Sequence, residues 1–69
     1  PREQRANLKV YAVDGSLVRT LVNGTLPPGA HAVTWRGRNQ SGAKVGSGVY
    51  FYRLVTDEKT ATHKMLLLK

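Results

Sequence analysis

The chain has 69 residues, 41% of them hydrophobic, no cysteine and a formal net charge of +7. This length allows one small domain, and a chain of this size buries only about 60% of the surface that it exposes when unfolded. The composition is that of a folded rather than a disordered chain, and the absence of cysteine excludes disulfides and thiolate metal sites. No apolar run is long enough for a membrane-spanning helix, and the basic N-terminus lacks the apolar core of a signal peptide.

The 11 lysines and arginines are spread along the sequence without a dense basic tract. Scattered basic residues usually decorate solvated strands and loops, whereas a nucleic-acid surface concentrates them on one face. The charge therefore indicates an ordinary basic surface, and nucleic acid is disfavoured as a partner.

The N-terminal part of the sequence predicts a hairpin. Residues 1–7, PREQRAN, carry three charges and no apolar alternation, and we interpret them as a linker or a frayed end. A strand is expected over residues 8–13, followed by Asp14-Gly15, which favours a tight turn of the primed type. The return strand, residues 17–22, lacks a clean two-residue alternation and also fits one helical turn. The Asp-Gly pair favours the strand.

Glycine and proline divide the rest of the chain. Residues 23–29, NGTLPPG, predict a loop that leads into a strand over residues 30–35, in which His31, Val33 and Trp35 share one face. Residues 37–48 predict a glycine-rich loop with a tight turn at 39–42. Further strands are expected over residues 49–56 and 60–68, joined by a polar turn. No segment has an apolar period of 3.6 residues, so the sequence predicts an all-β fold.

Alternation in the strands also predicts which side chains are buried. Tyr50 and Tyr52 fall on one face of the strand over residues 49–56, and Phe51 falls on the other. We expect Trp35 to pack against this strand; the alternative is that the aromatic residues form a stacking platform for sugar rings or bases. The predicted core consists of Val10, Val33, Trp35, Tyr50, Tyr52 and Leu54.

No pattern of residues predicts catalysis or metal binding. His31 and His63 are far apart in sequence and have no acidic neighbour close by, which argues against a metal site. Asp57 and Glu58 share a polar turn, where solvation explains both carboxylates. Serines adjoin glycines, but no Gly-x-Ser-x-Gly elbow and no histidine-acid pair is present. We therefore predict that this domain is not an enzyme and uses no cofactor, although the full-length parent protein can be one.

Longer motifs in the chain resemble a known family. The stretches DGSLVRTL, LPPG, SGVYFYRL and the final KMLLLK occur in this order, with Trp35 between the second and the third. Together they resemble the Ig-like domain related to the flagellar hook-capping protein, and they are similar to the C-terminal sorting domain of type IX secretion cargo. The resemblance implies an Ig-like, fibronectin III-like antiparallel β-sandwich over residues 8–69.

The chain departs from that family pattern at two places. Arg36 follows the tryptophan where the family usually has an acidic residue, which argues against a loop hydrogen bond made by that acid. The family usually begins with a strand upstream of Leu8, so five predicted strands remain where such sandwiches have about seven. We expect the C-terminal piece of a longer protein that lacks its first strand, with a strand from the upstream domain or from a partner covering the open edge.

The resemblance implies a non-catalytic C-terminal module of an exported bacterial protein, secreted or on the cell surface. Its function would be secretion sorting, surface attachment or structural interaction, and the alternative is a carbohydrate-binding module appended to a secreted hydrolase, using exposed tyrosines. A basic nucleic-acid binder is a third interpretation, for which association should fall steeply with salt. The residues that the secretion machinery would recognise are Lys64, Met65, Leu66, Leu67, Leu68 and Lys69, which also fit a last strand in the sandwich core.

Overall fold

The computed structural model describes residues 4–26 and 33–68, which form a single antiparallel sheet of four strands. The strands are β1 (Gln4–Ala12), β2 (Leu17–Leu26), β3 (Gly48–Thr56) and β4 (Thr60–Leu67). Their order across the sheet is β2-β1-β3-β4, so β1 and β3 are central and β2 and β4 lie at the edges. The prediction of an all-β fold is confirmed, and these ranges contain no helix that could cross a membrane. The described residues thus form one sheet of the sandwich that the sequence predicts.

The two central strands alternate between an apolar face and a mixed face, because neighbouring side chains of a strand point to opposite sides. Ala6, Leu8 and Val10 share one face of β1, and Val10 lies opposite Tyr52 of β3. We call this side of the sheet the inner face and the opposite side the outer face. Val10 is fully buried at 0% exposure, and burial of a valine side chain contributes about 1.5–3 kcal/mol to stability.

A turn at Asp14-Gly15 joins β1 to β2, as predicted, but its geometry is not of the primed type. Gly15 has a φ of 91°, and Asp14 does not have a positive φ. The amide of Gly15 donates to the Ala12 carbonyl at 2.9 Å, and the amide of Ala12 donates to the Ser16 carbonyl at 2.9 Å. The connection is thus a three-residue loop whose last position is left-handed, a conformation that glycine adopts without a steric penalty.

Irregularities in the pairing of β1 with β2 explain the imperfect alternation of residues 17–22. The register shifts between Leu8 and Lys9 and again between Val10 and Tyr11. Each shift adds an unpaired residue to β2, and an extra residue interrupts the two-residue period of the strand. The strand is therefore present although its apolar residues do not alternate.

The strand predicted over residues 30–35 is wrong for its described part. Residues 33–35 belong to no strand, and residues 30–32, including His31, lie outside the described ranges. Val33, assigned to the core from its alternation, is 46% exposed. The reason is local: the indole of Trp35 donates to the Arg38 carbonyl at 2.9 Å, and the chain turns at Gly37, which has a φ of 71°. The segment therefore folds as a loop instead of pairing with a strand.

At the N-terminal end, β1 begins at Gln4, earlier than predicted. The sequence of residues 4–7 predicts part of a linker or frayed end, yet Asn7 lies opposite both Asn23 of β2 and Val55 of β3. The outer-face positions of this segment are polar, so they gave no apolar alternation, but pairing on both sides imposes the strand. Residues 1–3 lie outside the described ranges, and the boundary between linker and domain stays a prediction.

Candidate functional site

A loop, residues 33–47, crosses the inner face and is fastened to the central strand β3. The rings of Trp35 and Tyr50 meet edge to face, with centroids 5.0 Å apart and planes at 66°. The hydroxyl of Tyr50 donates to the Gly46 carbonyl at 2.7 Å. Because the tyrosine is buried and hydrogen-bonded within the domain, these two aromatic residues act in structure rather than as an exposed stacking platform.

The tip of this loop is a tight turn built on Asn39, at the position where the sequence predicted one. The amide of Gly42 donates to the Asn39 carbonyl at 3.0 Å, and Gly42 has a φ of 89°. The side-chain oxygen of Asn39 accepts hydrogen bonds from the amide of Ser41 (3.1 Å), the hydroxyl of Ser41 (2.9 Å) and the amide of Ala43 (3.0 Å). An asparagine that bonds its own backbone in this way defines the turn without outside support.

The same turn caps the outer edge of β2. The guanidinium of Arg19 donates to the Asn39 carbonyl at 2.7 Å, and the side-chain oxygen of Gln40 accepts from the amide of Thr20 at 2.9 Å. An edge strand exposes unpaired amides and carbonyls that can pair with another chain, so this contact blocks part of the edge. Sequence reasoning located the turn but missed its contact with β2, because no local pattern records which strand a loop meets.

The other edge, formed by β4, is open as far as the described residues show. β4 pairs with β3 over eight successive positions without a register shift, and within the described ranges no strand lies on its other side. The amide of Thr56 donates to the Lys59 carbonyl at 2.8 Å and closes the turn. In an antiparallel strand, successive residues direct their amide and carbonyl alternately toward the neighbouring strand and away from it. Since Lys59 bonds toward β3, the residues of β4 whose amides and carbonyls face away from the sheet are Thr60, Thr62, Lys64 and Leu66.

The segment predicted for sorting is divided between the two faces of the sheet. Met65 lies opposite the inner-face residue Tyr50, and the side chain of Leu67 covers Gly37. Lys64 and Leu66 lie on the outer face, and Leu66 is 63% exposed. Leu68 follows the end of β4 and is exposed, and Lys69 lies outside the described ranges.

The remaining predicted core residues are half-buried, namely Trp35, Tyr52 and Leu54. The ring of Tyr52 stacks on the imidazole of His63, with centroids 5.3 Å apart and planes at 26°. Tyr50 and Tyr52, two of the aromatic residues considered for a stacking platform, both lie on the inner face. Within residues 4–26 and 33–68, no three histidine or acidic side chains come together as a metal site.

One carboxylate has a shifted pKa. Asp14 accepts hydrogen bonds from the amide and the hydroxyl of Ser16, at 2.9 and 2.7 Å, and these bonds lower the pKa of its carboxyl below the ordinary 3.8. Hydrogen bonds to the ionised form account for the direction. The group lies exposed in the β1–β2 turn, so the shift reports turn geometry and not a reactive centre.

The antiparallel sheet, the loop packed over one face and the contacts within the domain define an all-β structural module. The family model "FlgD Ig-like domain" matches residues 2–60, and the chain belongs to this family. The family is a non-catalytic, structural type of domain, and the predicted relation to the flagellar hook-capping protein is confirmed. The match includes β1, β2 and β3 and begins before the strand start that the sequence predicted. Comparisons with curated proteins and with solved structures gave no match.

Proposed function

We propose that this domain is a non-catalytic interaction module of an exported bacterial protein, and that it binds by accepting a strand along β4. The observation that carries the proposal is the difference between the two edges of the sheet. The β2 edge contains register shifts and is capped at Thr20 by Gln40, whereas β4 is regular and has no neighbour on its outward side among residues 4–26 and 33–68. A strand from the preceding polypeptide or from a partner would pair with the outward groups of β4.

Export is the second part of the proposal. Domains of the FlgD type belong to flagellar hook-associated proteins, which are exported, and this supports a secreted or cell-surface location. The finer proposal is that the type IX secretion machinery recognises the segment from Lys64 to Lys69. Its support is the sequence resemblance together with the exposure of Leu66 and Leu68. The carbohydrate-binding alternative has no comparable support, because Tyr50 is buried and Tyr52 is half-buried on the inner face.

The edge-pairing proposal is tested with Thr62→Pro in the full-length precursor. Proline removes an outward-facing amide and leaves the ladder between β3 and β4 intact, since Thr62 does not donate to β3. We expect the variant to fold but to lose association with its partner strand, measured by protection of β4 amides from hydrogen exchange. Thr62→Val, which keeps the amide, is the matched control. Equal protection in both variants would show that no strand pairs here.

Recognition of the terminal side chains is tested separately with Leu68→Ser. Leu68 follows the last residue of β4, so this change leaves the backbone of the open edge unaltered. Reduced export of the precursor, measured as the extracellular fraction, is expected if the secretion machinery reads these side chains. If Leu68→Ser is exported normally while Thr62→Pro still fails to associate, the proposed sorting role is wrong and the proposed structural role stands.

A further inference from the structure

The outer face of the sheet carries an apolar patch to which all four strands contribute. Tyr11 lies opposite Leu17 on one side and opposite Phe51 on the other, and Val49 lies opposite Leu66. Leu17 and Val49 are 50% and 38% exposed, and Leu66 is more exposed still. Such a contiguous apolar surface on a small domain marks an interaction site more often than chance exposure does. We call these five residues the outer-face patch.

Three basic side chains border the outer-face patch. Lys9 and Arg53 lie directly opposite each other, one step further along the strands from Tyr11 and Phe51, and Lys64 lies opposite Phe51. None of the four strands contains an aspartate or a glutamate. Like charges placed directly opposite each other cost stability, so the domain itself gains nothing from this arrangement.

From the patch and its basic border, we infer that the outer face docks a protein surface that combines apolar side chains with carboxylates. An interface with an apolar centre and a charged rim has this composition, and opposite charges across the rim increase both specificity and the association rate. This site is distinct from the open β4 edge. The edge offers backbone groups in the plane of the sheet, and the face offers side chains perpendicular to it.

Two observations favour an acidic protein over other occupants. A second copy, related by a two-fold axis, would bring together two outer faces that each carry three cations and no carboxylate on their strands, so these cations would gain no opposite charge. The exposed part of the patch is aliphatic, whereas single-stranded nucleic acid is held by exposed aromatic rings, and Tyr11 and Phe51 are half-buried.

The inference is tested by titrating the ¹⁵N-labelled chain with a short amphipathic peptide of leucine and glutamate. We expect amide shifts centred on Tyr11, Phe51 and Arg53, which weaken as salt is added. Arg53→Glu should weaken binding roughly tenfold, because it replaces an attraction by a repulsion in a solvent-exposed rim. Leu17→Ser should weaken it through the loss of apolar contact. Arg53 and Leu17 are both exposed on the outer face, so neither substitution disturbs the core and both variants should keep the fold.

Lys59→Glu is the matched control, since it changes net charge equally but lies in the β3–β4 turn, outside the patch. Equal weakening by Lys59→Glu and Arg53→Glu would reduce the effect to net charge and overturn the inference. The inference is also overturned if the peptide shifts no outer-face amide, or if the chain dimerises through this face. A peptide in which lysine replaces every glutamate should bind more weakly, and equal affinity for the two peptides would overturn the inference too. Stronger binding of oligothymidylate, or of vesicles of phosphatidylcholine and phosphatidylglycerol, would overturn it in favour of those partners.

Thr62→Pro should bind the peptide normally, so failure of this inference and failure of edge pairing are distinguishable.

Discussion

Tyr50 links the sheet to its covering loop through two different contacts. Its ring packs against Trp35, and its hydroxyl bonds the Gly46 carbonyl, while only 9% of its surface is exposed. A buried hydroxyl needs such a partner, because desolvation without a hydrogen bond is costly. The residue therefore contributes both apolar burial and a fixed position for the loop.

Tyr50→Phe should lower the free energy of unfolding by about 1 kcal/mol, the usual net value of one hydrogen bond. The ring contact with Trp35 remains, so the loss reports the hydroxyl alone. Urea unfolding followed by the fluorescence of Trp35, the single tryptophan, measures it. Tyr52→Phe is the control, because the Tyr52 hydroxyl makes no hydrogen bond in the described part of the chain. Equal losses in the two variants would contradict the assignment.

Asp14 should give the domain a small dependence on acid pH. Its pKa is lowered in the folded state by the hydrogen bonds from Ser16, so the unfolded chain binds a proton more readily. The stabilisation is therefore present above pH 3.8, the ordinary pKa, and is lost as the pH falls through the lower pKa of the folded state. Urea midpoints measured across this range should converge for wild type and Asp14→Asn, which accepts the same bonds but does not titrate. Parallel pH profiles would exclude the effect.

Among the elements, the loop over residues 33–47 takes the place that a second layer occupies in a complete sandwich. It is held at three places: Trp35 and Gly46 on β3, Asn39 and Gln40 on β2, and Gly37 under β4. Each contact joins a loop position to a different strand. The loop is therefore fixed by the whole sheet, and its conformation follows from contacts far away in sequence.

Gly37→Ala and Gly46→Ala should change stability in opposite directions. Gly37 has a φ of 71°, and an added Cβ would lie 3.3 Å from the Leu67 side chain, so alanine should cost about 1–2 kcal/mol. Gly46 lacks a positive φ, and a Cβ there meets nothing within 4 Å. Alanine at Gly46 should therefore be neutral or stabilising by up to about 1 kcal/mol, since it restricts the unfolded chain. Thermal or urea unfolding compares the pair, and destabilisation by both would show that the loop tolerates no side chain at either position.

The pair of Lys9 and Arg53 tests the energetics of the central strands. Lys9→Glu should raise the free energy of unfolding by about 0.2–1 kcal/mol, because a cross-strand repulsion becomes an attraction. Lys9→Gln, which only removes the repulsion, should give an intermediate value in the same urea experiment. A loss of stability in Lys9→Glu would mean that these two cations do not interact in the folded domain.

For the whole molecule, burial is limited. The buried apolar residues in the described ranges are Ala6, Val10 and Tyr50, and one face of the sheet has no cover in those ranges. A small domain with so few buried side chains and no disulfide has a narrow stability margin. A partner on the open edge or on the outer face would therefore add to its stability as well as to its function.

The net charge of +7 adds self-repulsion to this narrow margin. Sodium chloride should raise the urea midpoint, because about 0.15 M salt already screens exposed charges beyond ~8 Å. The gain should be smaller in a variant that combines Lys9→Glu with Lys59→Glu, whose net charge is lower and which places opposite charges at positions 9 and 53. A midpoint that falls with salt would show that favourable ion pairs outweigh the repulsion.

The sequence by itself determined the features that depend on neighbouring residues. Asp14-Gly15 and Asn39-Gln40-Ser41-Gly42 predicted their turns, because local hydrogen bonds close these turns and each turn has one position of positive φ that favours glycine. Alternation in β3 placed Tyr50 and Tyr52 on the same face, which is the inner face. Longer motifs predicted the relation to the family that the FlgD Ig-like domain model then identified.

Only the tertiary structure decided which elements meet. Residues 33–35 have the alternation of a strand, but Trp35 serves the loop instead, since its partners Arg38 and Tyr50 hold it there. Residues 4–7 lack alternation, yet two neighbouring strands make them part of β1. The capped β2 edge, the open β4 edge and the juxtaposition of Lys9 with Arg53 all arise from strand order and register. These depend on contacts between residues distant in sequence, which a local pattern does not encode.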